Sequence, residues 1–117
     1  MNILGIIPAR GGSKTVPKKN IKLLDGKPLI YYSIKEAQKS KMITDLVVSS
    51  DSNEVLSISK KYNCNIIIRP KKISNDSTPM WPVAKHALEN LEKTYDKIYD
   101  YILILQPTTP FRSYRDI

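Results

Sequence analysis

The chain has 117 residues, enough for one hydrophobic core and so one domain spanning 1–117, and no apolar run approaches the ~20 residues that cross a bilayer. Its formal charge of +8 suits an anionic partner without choosing among nucleic acid, membrane headgroups and a polyphosphate nucleotide. A single cysteine, Cys64, excludes an internal disulfide, and no second thiol or histidine cluster accompanies it as a metal site requires.

The elements alternate. Ile3 to Ile7 is a short continuous apolar run, as expected of a strand buried on both faces, and Pro8 ends it. The chain enters this strand directly from Met1 without the features of a signal peptide, so a cytoplasmic location is expected. After a basic loop, Pro28 is expected at the first position of a helix whose Leu29, Ile30, Ser33, Ile34 and Ala37 share one side. Leu46 to Val48 is the second strand, closing at Ser49-Ser50-Asp51; a helix with Val55, Ile58 and Tyr62 on one face follows. Ile66 to Ile68 is the third strand, stopped by Arg69-Pro70, and Cys64 beside it reads as a small core residue. A turn-rich stretch, Ser74 to Pro82, precedes an amphipathic helix carrying Val83, Ala84, Ala87, Leu88 and Leu91. Within these segments Trp81 reads as an anchor for the helix start, His86 as a helix-surface or core-edge residue, and Lys35, Lys39 and Lys41 as a solvated face. The fourth strand is Tyr101 to Leu105, stopped at Gln106-Pro107. Ser113 to Asp116 resembles the start of a helix that Ile117 leaves unbuilt, which suggests a partial sequence; a frayed polar tail is the alternative.

Strand–helix alternation implies right-handed crossovers, a mostly parallel sheet and helices on both faces: an α/β, Rossmann-like three-layer α/β/α arrangement. Ligands of such sheets bind beyond the carboxyl ends of the strands, near the point where strand order reverses. The loops that leave those ends begin at Ala9, Ser49, Arg69 and Gln106, and they are expected to converge.

The loop after the first strand carries the strongest chemistry. Two glycines in Gly11-Gly12-Ser13-Lys14 permit close backbone approach and let successive N–H groups turn towards an anion, with Arg10, Lys14 and Lys19 adding positive charge. The spacing fits neither the G-x-x-x-x-G-K-[ST] loop nor the G-x-G-x-x-G fingerprint, which argues against an ordinary P-loop or dinucleotide site. A flexible turn with solvated lysines is the competing account of Gly-Gly alone. Nucleic-acid binding is disfavoured because the cations sit in a strand-to-helix loop and no paired aromatic platform accompanies them.

The run Ile7 to Asn20 resembles the signature loop of the cytidine-monophosphate N-acylneuraminate synthetases, within the nucleotide-diphospho-sugar transferase-like proteins. Gly26-Lys27-Pro28-Leu29-Ile30, Val48-Ser49-Ser50-Asp51, Arg69-Pro70 with Asp76, and Leu105 to Arg112 match in order. The resemblance spans essentially the whole chain but only about the first half of a typical member, so the fold is expected to be truncated and residues 1–117 to be the nucleotide-binding N-terminal part of a cytidylyltransferase domain. The run Gln106 to Pro110 favours the sialic-acid branch over the 3-deoxy-manno-octulosonate enzymes, with legionaminic and pseudaminic acid as alternative sugars.

The implied reaction transfers CMP from CTP to a nine-carbon sugar acid and releases pyrophosphate. By resemblance, Arg10, Lys14 and Lys19 are the catalytic cations; Ala9, Arg10, Gly11, Gly12, Ser13, Lys14, Lys19, Asn20 and Arg69 bind the nucleotide, Arg69 near the base; Gln106, Thr108 and Thr109 face the sugar acid, with Arg112 extending their loop. Met80 stands where some members carry a small hydroxylated residue near the base. The resemblance implies Mg2+ for the complete enzyme, held chiefly by aspartates later than Ile117, so the metal ligands here are unknown; Asp51 and Asp76 are the nearest carboxylates by motif but read equally as a cap or turn former. It further implies a homodimer, with no nucleic-acid or membrane partner, and leaves open whether this length of chain turns nucleotide over.

Overall fold

The structure, a computed structural model, describes residues 1–9, 23–24, 26–74 and 79–106. In chain order the elements are β1 (Ile3–Pro8), β2 (Leu23–Leu24), β3 (Lys27–Pro28), α1 (Leu29–Gln38), β4 (Asp45–Ser50), α2 (Asn53–Lys61), β5 (Asn65–Ile68), a 3-10 turn (Lys71–Ile73), α3 (Met80–Tyr95) and β6 (Tyr101–Ile104). Four of the strands form one sheet in the order β5-β4-β1-β6, every neighbouring pair parallel. The chain therefore builds outward from β1 through β4 to β5, then returns to the other side of β1 to lay down β6. Strand order reverses between β1 and β6.

Every residue of β1 is buried, because this central strand is covered on both faces. On one face Ile7, Ala9, Val48, Cys64 and Leu105 pack with Ile30, Ile34 and Ala37 of α1 and Val55 of α2. On the other, Leu4, Ile6, Val47 and Tyr99 pack with Ala84, Ala87 and Leu91 of α3. The three-layer α/β/α expectation is met, and complete burial of side chains such as Leu4, Ile6 and Ile34 contributes about 1.5–3 kcal/mol each. Gly5 lets the chain before β4 come close: a Cβ there would meet Ile43 and Leu46 at 3.1 Å.

Several local features differ from the sequence expectations. Pro28 is the N-cap of α1, not its first helical residue, because its extended backbone (ψ 150°) is still pairing β3 with β2. That small hairpin was not anticipated, although Asp25-Gly26 is a hairpin dipeptide and Gly26 does take a positive φ of 78°. β4 runs through Ser50, so Ser49 and Ser50 are strand residues and not the loop after it. On α2 the buried face is Val55, Leu56 and Ser59, with Ile58 and Tyr62 only partly covered; the Ser59 hydroxyl stays buried because it donates to the Val55 carbonyl. α3 begins at Met80, inside the stretch expected to be turn, since Pro82 at its third residue falls in the first turn, where a missing N–H costs nothing. Trp81 does not anchor that start: it is 64% exposed. Lys35 is only partly exposed, lying over the rings of Tyr31 and Tyr62, whereas Lys39 and Lys41 are exposed as expected. His86 sits at the edge of the core, partly covered.

Candidate functional site at the carboxyl end of the sheet

At the carboxyl end of the sheet three strand ends are tied together. The Ala9 amide donates to the Ser49 carbonyl at 2.9 Å, the Arg69 amide donates to the Ser50 carbonyl at 2.7 Å, and the Leu105 amide donates to the Ile6 carbonyl at 2.8 Å. These bonds extend the parallel ladders by one residue past β1, β5 and β6, so the positions from which the loops depart are fixed by backbone. Ala9 is buried and Gln106 exposed, and they flank the place where strand order reverses.

Arg69 is the most informative side chain here. It is only 4% exposed, and its guanidinium reaches across to β4: Nε donates to Ser49 Oγ at 3.1 Å and Nη2 donates to the Ser49 carbonyl at 3.0 Å. Ser49 is itself fully buried, and its carbonyl accepts from both Ala9 and Arg69. A cation buried to this degree needs charge-assisted bonds, and Ser49 supplies two acceptors from one residue. The surface salt bridge or snorkelling side chain that position alone allows is therefore not what Arg69 adopts.

Its neighbours follow from local chemistry. The Ser50 hydroxyl accepts from the Ser52 amide at 3.0 Å, and the Ser52 side chain accepts from the Val55 amide at 3.3 Å as the N-cap of α2. The run Ser49-Ser50-Asp51-Ser52 thus seats an arginine, turns the chain and caps a helix in succession. On the α3 side His86 lies close enough to feel the charges of Arg69 and Lys72; burial first, and then those two cations, push the imidazole below its ordinary value against the opposing pull of Glu89. Its Nδ1 is buried and has no hydrogen-bond partner. Beside this region Met80, Trp81 and Ala84 of α3 and Ile102 and Ile104 of β6 line an open apolar cavity of about 310 Å3.

Of the residues expected to form the site, Ala9, Arg69 and Gln106 are brought to the same end of the sheet. Arg10, Gly11, Gly12, Ser13, Lys14, Lys19, Asn20, Thr108 and Thr109, together with Asp76 and Arg112, lie outside the described residues. Ser49 is a contributor that nothing in the local sequence marks as the partner of Arg69, since that contact depends on β4 and β5 lying side by side. Cys64, by contrast, behaves as expected: it is buried, and burial pushes its thiol up to about 12, so it stays an unreactive core residue at neutral pH. Among the described residues no three histidine, cysteine, aspartate or glutamate side chains are grouped to hold a metal. Asp51, just past β4, is exposed and belongs to no such group, so the described residues do not by themselves fit a metal site.

Comparison with known proteins gives the same placement. Residues 4–117 match the cytidylyltransferase family. A pseudaminic acid cytidylyltransferase of Campylobacter jejuni is 41% identical over 111 residues, covering 94% of this chain and 47% of that protein. A CMP-N,N'-diacetyllegionaminic acid synthase of Legionella pneumophila is 37% identical over 114 residues, covering 97% and 49%. Among solved structures, a CMP:2-keto-3-deoxy-manno-octonic acid synthetase complexed with CTP superimposes with a TM-score of 0.76 at 22% identity, covering 99% of this chain and 44% of that one, a likeness of fold. The chain spans about half the length of these relatives. With a parallel sheet in β5-β4-β1-β6 order and a family match over nearly all its residues, the chain belongs to the cytidylyltransferase family.

Proposed function

We propose that this chain is the nucleotide-binding part of a cytidylyltransferase that transfers CMP from CTP to a nine-carbon sugar acid. The observation that carries the reading is the buried Arg69 guanidinium, held by Ser49 at the carboxyl end of β4, next to the end of β1 from which the Gly11-Gly12-Ser13-Lys14 segment departs. Arg69 is suited to the base, since a guanidinium donates in a plane towards a carbonyl oxygen. Arg10, Lys14 and Lys19 are suited to the triphosphate, with Ala9, Gly11, Gly12, Ser13 and Asn20 completing the nucleotide side and Gln106, Thr108 and Thr109 the sugar side.

In the reaction the anomeric hydroxyl of the sugar acid attacks the α-phosphate of CTP. The new O–P bond replaces the bond to pyrophosphate, and the hydroxyl proton is lost to solvent or a base. Negative charge shifts onto phosphate oxygens, so these residues act by positioning and neutralisation. A divalent metal, Mg2+, is the cofactor expected of the complete enzyme. The names of the relatives support pseudaminic, legionaminic or N-acylneuraminic acid as the class of acceptor. A cytoplasmic homodimer with no nucleic-acid or membrane partner remains the expected setting, and none of the described helices is long and apolar enough to cross a membrane.

Calorimetric titration with CTP, ATP, GTP and UTP in magnesium, at two salt concentrations, tests the reading. CTP is expected to bind best. Equal binding of all four, or tight binding only to oligonucleotides with a steep salt dependence, overturns it. Arg10→Ala and Lys19→Ala should each weaken CTP binding by more than ~1 kcal/mol, the scale of one charge-assisted hydrogen bond. Unchanged affinity in both removes that loop from the site.

A further inference from the structure

Ser49 stands where the core of a strand favours a branched apolar residue: Val47 and Val48 precede it, and it is 0% exposed. A buried hydroxyl is costly without a partner, and this one has Arg69. Parallel pairing sets Ser49 opposite Ile67, and the Arg69 amide donates to the Ser50 carbonyl, so the ladder continues one residue past β5. With a period of two, the side chains of Ile67 and Arg69 leave the same face of the sheet, and that of Arg69 reaches Ser49. Nε donates to the hydroxyl oxygen at 3.1 Å and Nη2 to the carbonyl oxygen at 3.0 Å. The same carbonyl accepts from the Ala9 amide at 2.9 Å, at the root of the basic run.

A guanidinium gripped on one edge through Nε and Nη2 has its plane fixed, since turning the planar group breaks both contacts. Ser49 need not be its only partner for this to hold. We propose that Ser49 is a positioning residue for base recognition: its hydroxyl sets the plane in which Arg69 presents its other N–H groups, while its carbonyl ties that plane to the end of β1. The base part rests on the function proposed above, in which Arg69 meets a carbonyl of the base. The two groups of Ser49 are separable. Ser49→Ala removes the hydroxyl and keeps the carbonyl, so the bond from Ala9 and the phosphate side survive it. Lysine in place of Arg69 keeps a positive charge but has no Nε–H edge for the hydroxyl to hold.

Calorimetry of the 117-residue chain with CTP and with inorganic triphosphate, which has no base, tests the role in wild type, Ser49→Ala, Arg69→Lys and the double variant. Ser49→Ala is expected to weaken CTP binding about fivefold, the worth of roughly one hydrogen bond, and to leave inorganic triphosphate unchanged. In the Arg69→Lys background it should cost less than about twofold, because the edge it serves is gone. An equal loss in both backgrounds, or an equal loss for CTP and triphosphate, means that Ser49 acts by general packing and overturns the proposal; so does an unchanged CTP affinity. A second readout needs no nucleotide: the Arg69 Nε–H resonance, identified by its disappearance in Arg69→Lys, should exchange with solvent at least about fivefold faster in Ser49→Ala. Unchanged exchange overturns the seat. Ser49→Cys, similar in shape but a weaker acceptor, should move both readouts the same way and decides the matter if the alanine variant does not fold. A wild type that binds no CTP sinks the nucleotide reading and the base role with it, while the exchange measurement still decides whether the hydroxyl holds Arg69.

Discussion

The two ends of this parallel sheet are built on different principles. At the amino end side chains close on one another across long separations in sequence: Tyr99 Oη donates to Asp45 Oδ2 at 2.6 Å, Lys97 Nζ reaches the same oxygen at 3.0 Å, the Asn2 amide donates to Asp100 Oδ2 at 2.8 Å, and the Ile3 amide donates to Thr44 Oγ1 at 2.9 Å. At the carboxyl end the strands are joined by backbone bonds, and the prominent side-chain contact is a cation, Arg69, resting on neutral oxygens of Ser49. The amino end brings a carboxylate, a tyrosine and a lysine together, whereas at the carboxyl end a buried guanidinium bonds to the side chain and the carbonyl of one serine. One end stabilises the sheet; the other is the end at which we propose that the nucleotide binds. In α/β proteins the carboxyl end is where ligands enter, and the same division of labour is written here in individual side chains.

Breaking one end at a time separates the two roles. The largest effect is expected from Asp45→Ala, which leaves the buried Tyr99 hydroxyl and Lys97 without their shared acceptor: about 2 kcal/mol of stability lost in denaturant unfolding, with CTP affinity unmoved. A comparable loss of CTP binding in that variant erases the division. Next comes Arg69→Met, which keeps much of the apolar stem and removes the guanidinium. CTP affinity should fall about tenfold, or ~1.4 kcal/mol by calorimetry, and a variant that still binds CTP like wild type removes Arg69 from the site.

The smallest effect is that of Tyr99→Phe, about 1 kcal/mol of stability, and it sharpens the comparison through pH. Burial alone raises the Asp45 carboxyl, but the bonds from Tyr99 and Lys97 outweigh it and hold the group below its ordinary value. A carboxyl depressed in the folded state contributes stability that is present above its unfolded value and disappears as pH falls through the folded one. Wild type should therefore lose stability below about pH 4, and Tyr99→Phe should lose less over that range because one of the lowering bonds is gone. Equal acid sensitivity of the two proteins would place the acid-labile contact elsewhere.

Sequence alone determined a good deal of this protein. The fully apolar run of β1, the 3.6-residue spacing of Val83, Ala84, Ala87 and Leu91, and the strand–helix alternation fix an α/β fold, because each reflects which residues neighbour one another within a single strand or helix. The run Ile7 to Asn20 and the later motifs placed the chain among cytidylyltransferases, which the family match over residues 4–117 bears out. What tertiary structure decided are contacts between residues far apart in the chain: Arg69 on Ser49 across 20 positions and Tyr99 on Asp45 across 54. Local periodicity says nothing about such pairs, since they depend on the order β5-β4-β1-β6 and on which face each helix covers. For the same reason Trp81 was misread: its place beside Pro82 suggested an anchor, but its position over β6 leaves it on the rim of an open cavity. The basic run after β1 could be recognised from its residues, whereas the seat of Arg69 is set by strands that only folding brings together.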